Sequence, residues 1–430
     1  MRRESRTRAV AEDLTTGSML MAAAAGEAPA RAVRTLLRDR TFAPYFWGQA
    51  LATMGVWIHN VAAAILMWEL TRSTQWVAAI TVGQFLPQMA IAPWSGARAD
   101  RADRRRQMVT GTLIAGSGPA LIATWEAAVG FDGAAGPTVL VLAATVIGIG
   151  FAVGGPATQA LLPSLVRRTE LPSVVAVSSW PMTVARAAGP ALGALLMVAS
   201  GPAATFALVA MTQFVFAAVM HRRERELLAP ADGRDTRVRA ALTYLRAERP
   251  TAFLLAGVAV VGFGVDPVVT LAPAVADRLG GAGDVVGLLA SAFGVGAGVG
   301  FVLLPWIRRR QRLERMATLG LVVLALGLAP LAVVPTVTAA AVALGVAGAG
   351  MALSLTGFTT AVQQRVPDAL RGRVMAIWSV AFLGSRPLGA LLSGAIADVS
   401  SEEVALLAAA TLVLLGAVVS RPALTRRHRG

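Results

Sequence analysis

The sequence predicts an all-α membrane protein of twelve spanning helices, arranged as two pseudo-symmetric six-helix bundles. Three observations carry this expectation. Hydrophobic residues make up 56% of the 430 positions, with a mean hydropathy of +0.64. Charged residues are only 15%, where a soluble domain carries about 25%. The apolar residues gather into runs close to the roughly 20 residues that cross a bilayer.

The runs follow in order. Residues 1–40 carry eight Arg and read as a flexible cytoplasmic tail. The first span runs from Phe42 to Trp68 without a formal charge, the second over 75–97, the third over 107–125 and the fourth over 137–160. The fifth, 172–199, holds one charge, Arg186, and Gly201-Pro202 turns the chain into a sixth over 203–220. Residues 221–249 hold eight Arg and five acids and read as a cytoplasmic linker, in which VRAALTYLRAERP has the pattern of a short amphipathic surface helix. The second half repeats the layout at 251–274, 285–307, 316–334, 338–361, 374–397 and 404–420, before a basic tail over 421–430. The domain reading is therefore 41–220 and 250–420, joined by 221–249.

Arginine position sets the orientation. With the N-terminus inside, 35 of the 39 basic residues fall in inside segments, and only Arg72 and Arg278 fall in outside loops. That bias places both termini in the cytoplasm of a multi-pass cell (inner) membrane protein. The formal charge of +15 is thus a topology signal rather than a nucleic-acid footprint. The halves also look related: shifted by 200 residues, Val174, Ala176, Ser179, Arg186, Gly189 and Leu192 meet Val374, Ala376, Ser379, Arg386, Gly389 and Leu392. Two such halves make a transporter architecture with its site near the midplane. The absence of Cys removes disulfides and thiolate metal sites, and His59, His221 and His428 have no metal-ligand spacing, so neither metal nor cofactor is expected. No Walker A sequence, H-E-x-x-H or nucleophile triad points to an enzyme.

Two motifs are more specific. The loop GARADRADRRR (96–106) is similar to the G-x-x-x-D-R-x-G-R-R that the major facilitator superfamily carries between its second and third spans, matched at Gly96, Asp100, Arg101, Arg104 and Arg105, with Asp103 in place of the second Gly. Gly96 is expected to let two helices approach closely. The resemblance implies that this cluster latches the cytoplasmic ends of the two halves, with its partner near Arg373. In the fifth span ARAAGPALGA (185–194) resembles the superfamily's antiporter motif at Gly189, Pro190 and Gly193. Pro190 removes a backbone hydrogen bond and makes the span bendable. Its small faces invite packing against the eighth span's Gly287, Gly294, Gly296, Gly298 and Gly300. WGQALATMGVWIHNVAAAILMWELTRS, PATQALLPSLVRRTELPSVVAVSS and RVPDALRGRVMAIWSVAFLGSRPLGALLSGAIAD resemble the enterobactin-exporter and macrolide-efflux branch. Two positions depart from it: Ala144 stands where the superfamily has a fourth-span Arg, and Val56 where this branch often has an acid.

Intramembrane ionisable groups mark function by default. Asp266 and His59 are the proton-coupling candidates. They lie at similar depths in equivalent spans and could face each other. Alternatively, Asp266 is a helix-break carboxylate before Pro267, and His59 is a satisfied or interfacial imidazole. Arg186 and Arg386 each need an acceptor, whether a carbonyl, Asp266 or an anionic group on cargo. Gln49, Thr53 and Asn60 form a polar stripe with Trp57 nearby, and Gln84 and Gln88 share a face. These residues either line the cargo cavity or bond neighbouring helices. The resemblance implies a monomeric secondary transporter in the lipid bilayer that exports a small amphipathic molecule, drug-like or siderophore-like, by alternating access with proton antiport. Uptake of a small metabolite, or a transport-inactive receptor or scaffold, are the alternatives.

Overall fold

A computed structural model describes residues 33–99, 103–131, 133–222 and 238–421. The helices are α1 (Val33–Leu36), α2 (Phe42–Thr71), α3 (Thr74–Ala99), α4 (Arg104–Ala128), α5 (Gly136–Leu161), α6 (Leu171–Ser178), α7 (Trp180–His221), α8 (Val238–Ala247), α9 (Arg249–Thr270), α10 (Ala272–Arg278), α11 (Gly283–Arg310), α12 (Leu313–Leu328), α13 (Val337–Arg365), α14 (Asp368–Val399) and α15 (Glu402–Val419). Among the described residues, nine helices are long and apolar enough to cross a membrane. The longest, α7, is two arms divided at Gly201, whose φ of 74° lies in the left-handed region that glycine adopts without penalty.

The expected runs become helices, with three departures. The run 172–199 breaks at Ser179 between α6 and α7. The run 251–274 is interrupted at Leu271, because Pro267 and Pro273 each withhold a donor from the ladder, and it continues as α10. The run 316–334 ends in a 3-10 turn, Ala329–Ala332. Side chains fix several helix starts: Asp103 accepts from the Arg106 amide at 3.1 Å, and Thr336 from the Ala339 amide at 3.3 Å. The amphipathic stretch is helical as α8 and docks its apolar side on the protein. Ala241 and Leu245 are buried, and the Tyr244 hydroxyl donates to the Arg365 carbonyl at 3.3 Å.

Helices of the first half pack mainly on each other: α2 on α7, α4 on α5 and α7, and α3 on α5. Those of the second half do likewise, α11 and α12 on α13 and α9 on α14. Two seams join the halves, α7 against α11 and α3 against α14. Both are built from glycine. A Cβ at Gly287 would collide with that of Ala194, and one at Gly294 would collide with the Arg186 carbonyl oxygen. That oxygen is freed because Pro190, four residues on, has no N–H to give it. Gly296 and Gly300 face the other way, against Gly345 and Ala349 of α13. In the second seam a Cβ at Gly394 would lie 2.9 Å from the Thr74 carbonyl oxygen.

The α7–α11 seam is tight at Gly287 and Gly294 and loosens toward the arginine-rich end. Gly298, one turn beyond Gly294, meets only Thr183 Cγ2 at 3.8 Å. Gly96 and Gly372 have nothing within 4 Å among the described residues. At the tight end Asp398, on the last turn of α14, caps the start of α3. Its carboxylate accepts from the Thr74 amide at 2.8 Å, the Thr74 hydroxyl at 2.5 Å, the Gln75 amide at 3.3 Å and the Ser73 hydroxyl. A carboxylate satisfies the orphan donors of a helix N-terminus and meets its positive dipole end. Nearby, Arg72 of the first half pairs with Asp277 of the second at 2.8 Å. Asp398→Ala therefore removes a strong inter-half contact. We expect a loss of about 1 kcal/mol in thermal unfolding, the usual scale for a lost N-cap acceptor. The chain has no native Cys, so the single thiol of a Gln75→Cys variant should react faster with a maleimide in the Asp398→Ala background than in the parent.

Candidate functional site

The centre of the molecule is built on α2, α7, α9, α13 and α14. Asp266, on α9, is fully buried. Its carboxylate accepts two hydrogen bonds from Arg386 on α14, Nε to Oδ2 at 3.0 Å and Nη2 to Oδ1 at 3.3 Å. The two-pronged geometry matches the planar guanidinium fork to the carboxylate. The Arg386 guanidinium carbon also stands 4.1 Å from the ring centroid of Phe85 on α3, so its charge is held on one side by an ion pair and on the other by an aromatic face across the seam. Of the acceptors open to the two arginines, Asp266 goes to Arg386.

Arg186 has no such partner. Its guanidinium carbon lies 5.2 Å from the Trp57 ring centroid, and its Nη1 donates to the Met351 thioether at 3.6 Å, a weak acceptor. Its Nε is buried without a hydrogen-bond partner. Trp57 donates to the Met182 sulfur at 3.4 Å.

His59 stands elsewhere. It is 2% exposed, and neither ring nitrogen has a hydrogen-bond partner. Phe206 of α7 meets the ring edge-on at 5.4 Å. The small cavity beside it is lined by Val56, Ala115, Pro119, Ile147, Phe151, Val209 and Gln213, all in the first half of the chain. No contact joins His59 to Asp266: similar depth along two helices did not bring them face to face, because the two side chains leave their helices in different directions.

The polar stripes divide as follows. Thr53 donates to the Gln49 carbonyl at 2.7 Å and accepts from the Gln49 amide at 3.3 Å, so the two satisfy each other within α2. Gln88 donates to the Gln84 carbonyl at 3.0 Å. Asn60 Oδ1 is buried with no partner. Gly189 and Gly193 let α7 lie on α2: a Cβ would meet Trp57 Cβ at 2.5 Å and the Ile58 carbonyl oxygen at 2.8 Å. Pro190 turns its carbonyl to Gly287. Of the loop cluster, Asp100 and Arg101 lie outside the described residues. Arg104 opens α4, and Arg105 donates to the His221 carbonyl at 2.9 Å, within the first half. Sequence reasoning missed Met351, Phe85, Ser291 and Asp398. Ser291 accepts from the Ala191 amide across the α7–α11 seam at 2.9 Å. The first two carry no signal in an apolar span. Asp398 had one, as an acid at a span end 324 residues from the amide it caps. Among the described residues no three His, Asp or Glu gather to hold a metal.

The Asp266–Arg386 pair has a checkable weight. Asp266→Ala leaves a buried guanidinium uncompensated and should lower stability by about 3–5 kcal/mol. The double variant Asp266→Ala/Arg386→Met should recover most of that loss, as read by thermal unfolding in detergent.

Comparison with known proteins places this geometry. The family model described as "Transmembrane secretion effector" matches residues 33–427. The chain is 25% identical to the enterobactin exporter EntS of Shigella boydii over 405 residues, 87% of this chain and 91% of that protein. It is 24% identical to the staphyloferrin A transporter of Staphylococcus aureus over 172 residues, 40% of this chain, and spans only 42% of that relative. It is 27% identical to an uncharacterized MFS-type transporter of Sinorhizobium fredii over 365 residues, 81% of this chain and 87% of that one. Its fold is similar to that of the nucleoside transporter NupG, with a TM-score of 0.71 at 11% identity, covering 91% of this chain and 100% of that one. A bacterial Spinster homologue in an inward-facing, unoccupied conformation gives 0.71 at 13% identity, covering 91% and 98%. The chain belongs to the transmembrane secretion effector family of the major facilitator superfamily, and is a multi-pass membrane transporter of small molecules.

Proposed function

We propose that this transporter exports a small amphipathic molecule by alternating access, as a proton antiporter, with a siderophore-like cargo favoured over a drug-like one. Twelve spans form two six-helix bundles, 41–220 and 250–420, linked by 221–249, and both termini lie in the cytoplasm of the inner membrane. The span count follows when the two arms of α7 are taken separately and α3 and α4 are added to the apolar helices. The arginine-rich end is then cytoplasmic, and the α7–α11 seam, which loosens toward it, supports an inward-open state. The relatives named for enterobactin export and staphyloferrin A transport favour siderophores, and the Gly189-Pro190 motif supports export.

One observation carries the coupling: a fully buried carboxylate, Asp266, shares both its oxygens with a guanidinium that also touches the opposite half. A proton on Asp266 cancels the ion pair and frees Arg386. The charge at the centre and the contact across the α3–α14 seam then change together. Rocking about the glycine seams exposes the centre to one side at a time, and Gly189 with Pro190 gives α7 its bending point. His59, in its own pocket, serves the first bundle, and Asp266 is the proton carrier. Gly96, Asp100, Arg101, Arg104 and Arg105 latch the cytoplasmic ends in the opposite, outward-open state. The protein works as a monomer with no nucleic-acid partner.

Cells expressing the protein should retain less of an exported dye or siderophore than controls. A protonophore should abolish the difference, and Asp266→Asn should do so without reducing membrane insertion. Gly189→Leu, which drives a side chain into Trp57, should also lose efflux. Export that survives the protonophore, or net accumulation of every compound in the panel, defeats the proton-exporter reading.

A further inference from the structure

The two halves treat their matched arginines differently. On α14, Gly389 packs on Phe263 of α9, and the residue three positions beyond Phe263 is Asp266, the partner of Arg386. On α7, Gly189 packs on Trp57 of α2, and the residue three positions beyond Trp57 is Asn60. By the same backbone relation, the position matching Asp266 is held in the first half by Asn60, a neutral amide whose Oδ1 is buried without a hydrogen-bond partner. Each arginine also has an aromatic face, Phe85 for Arg386 and Trp57 for Arg186. The second half satisfies its arginine internally, and the first half does not.

The electrostatics make that difference consequential. Asp266 pairs with Arg386, and Arg186 has no carboxylate partner among the described residues, its Nη1 meeting only the Met351 thioether. The centre therefore holds two cations and one anion. A guanidinium inside a membrane protein is costly unless an anion or a set of carbonyls compensates it. Arg186 has a thioether, an indole face and a buried Nε without a partner. Its surroundings bring together α2 and α7 of the first half and Met351 of α13 in the second, so a ligand held there contacts both halves.

We propose that Arg186 is the cargo's anion-binding group: the transported molecule carries a carboxylate, or an acidic group of like geometry, that pairs with the guanidinium while its apolar part lies against Trp57. Cargo then supplies the negative charge that Asn60 does not, and the loaded centre holds two ion pairs with no net charge. This rests on the transporter reading and adds a substrate class to it.

The test uses equilibrium binding to the purified full chain in detergent at one fixed pH, which is blind to transport direction. The probes are matched pairs of aryl and alkyl carboxylates and their primary amides, such as naphthalene-2-carboxylate against naphthalene-2-carboxamide, read by thermal stabilisation and tryptophan quenching. The wild type should bind carboxylates about tenfold or more tightly than the amides, the scale of one charge-assisted hydrogen bond. Arg186→Gln should lose that preference. Asn60→Asp should also lose it while keeping or raising thermal stability, because it gives Arg186 the internal partner that Arg386 already has; a merely structural Arg186 would not produce that combination. If no pair in the panel is discriminated, or if Asn60→Asp leaves the preference intact, the proposal is overturned. Should Asn60→Asp fail to fold, Arg186→Gln and Arg186→Lys decide, with Lys keeping part of the preference and Gln none. Carboxylate selectivity without export would sink only the exporter reading, and export without selectivity would sink only this one.

Discussion

The central constraint is the cost of placing a guanidinium among apolar helices. An apolar helical core offers almost no acceptors, because each backbone carbonyl is already used by its own helix. Arg386 is tolerable because α9 delivers Asp266 to it with two-pronged geometry and α3 delivers the Phe85 face. That requirement fixes the rotation of α9, the placing of α14 and the contact of α14 with α3. The halves of this molecule are thus joined at the point where charge must be compensated.

Glycine makes the rest of the joining possible. Without lipid-excluded hydrophobic gain between helices, close backbone approach supplies the packing energy. Gly294 sits on the very carbonyl that Pro190 leaves unbonded, and Gly189 and Gly193 seat α7 on α2 along another face. One helix is thereby held between a partner in its own half and a partner in the other. It also carries the break at Gly201 and the proline at 190, so the most tightly gripped helix is also the most readily bent. A seam of contacts that closes at Gly287 and Gly294 and opens at Gly298 has the geometry of two bodies that pivot rather than slide.

The ends of the molecule differ in kind. At the arginine-poor end, Asp398 with the α3 start and Arg72 with Asp277 bind the halves by charge and hydrogen bonds. Toward the arginine-rich end, Gly298 of α11 meets only Thr183 Cγ2, at 3.8 Å. These polar contacts lie where water is near, so they can form and break at modest cost, whereas the buried pair at Asp266 changes only if its charge changes.

The sequence by itself determined the apolar runs, the amphipathic stretch before α9, the turn at Gly201, the clustering of arginine between the runs and the matching pattern around Arg186 and Arg386. All of these are local, and composition and periodicity encode them directly. Family resemblance added the loop and Gly-Pro motifs, and the family-wide match agrees with it. Only the tertiary structure decided which acid meets which arginine. Asp266 and Arg386 are 120 residues apart, and nothing local distinguishes that pairing from Asp266 with Arg186 or with His59. Depth along a helix was readable; the direction in which each side chain leaves it was not, because rotation about the helix axis is set by packing against neighbours distant in the chain. Gly296 and Gly300 stand roughly 200° and 240° around the helix from Gly294, so periodicity already placed them on another face, and only the packing showed that α13 covers it.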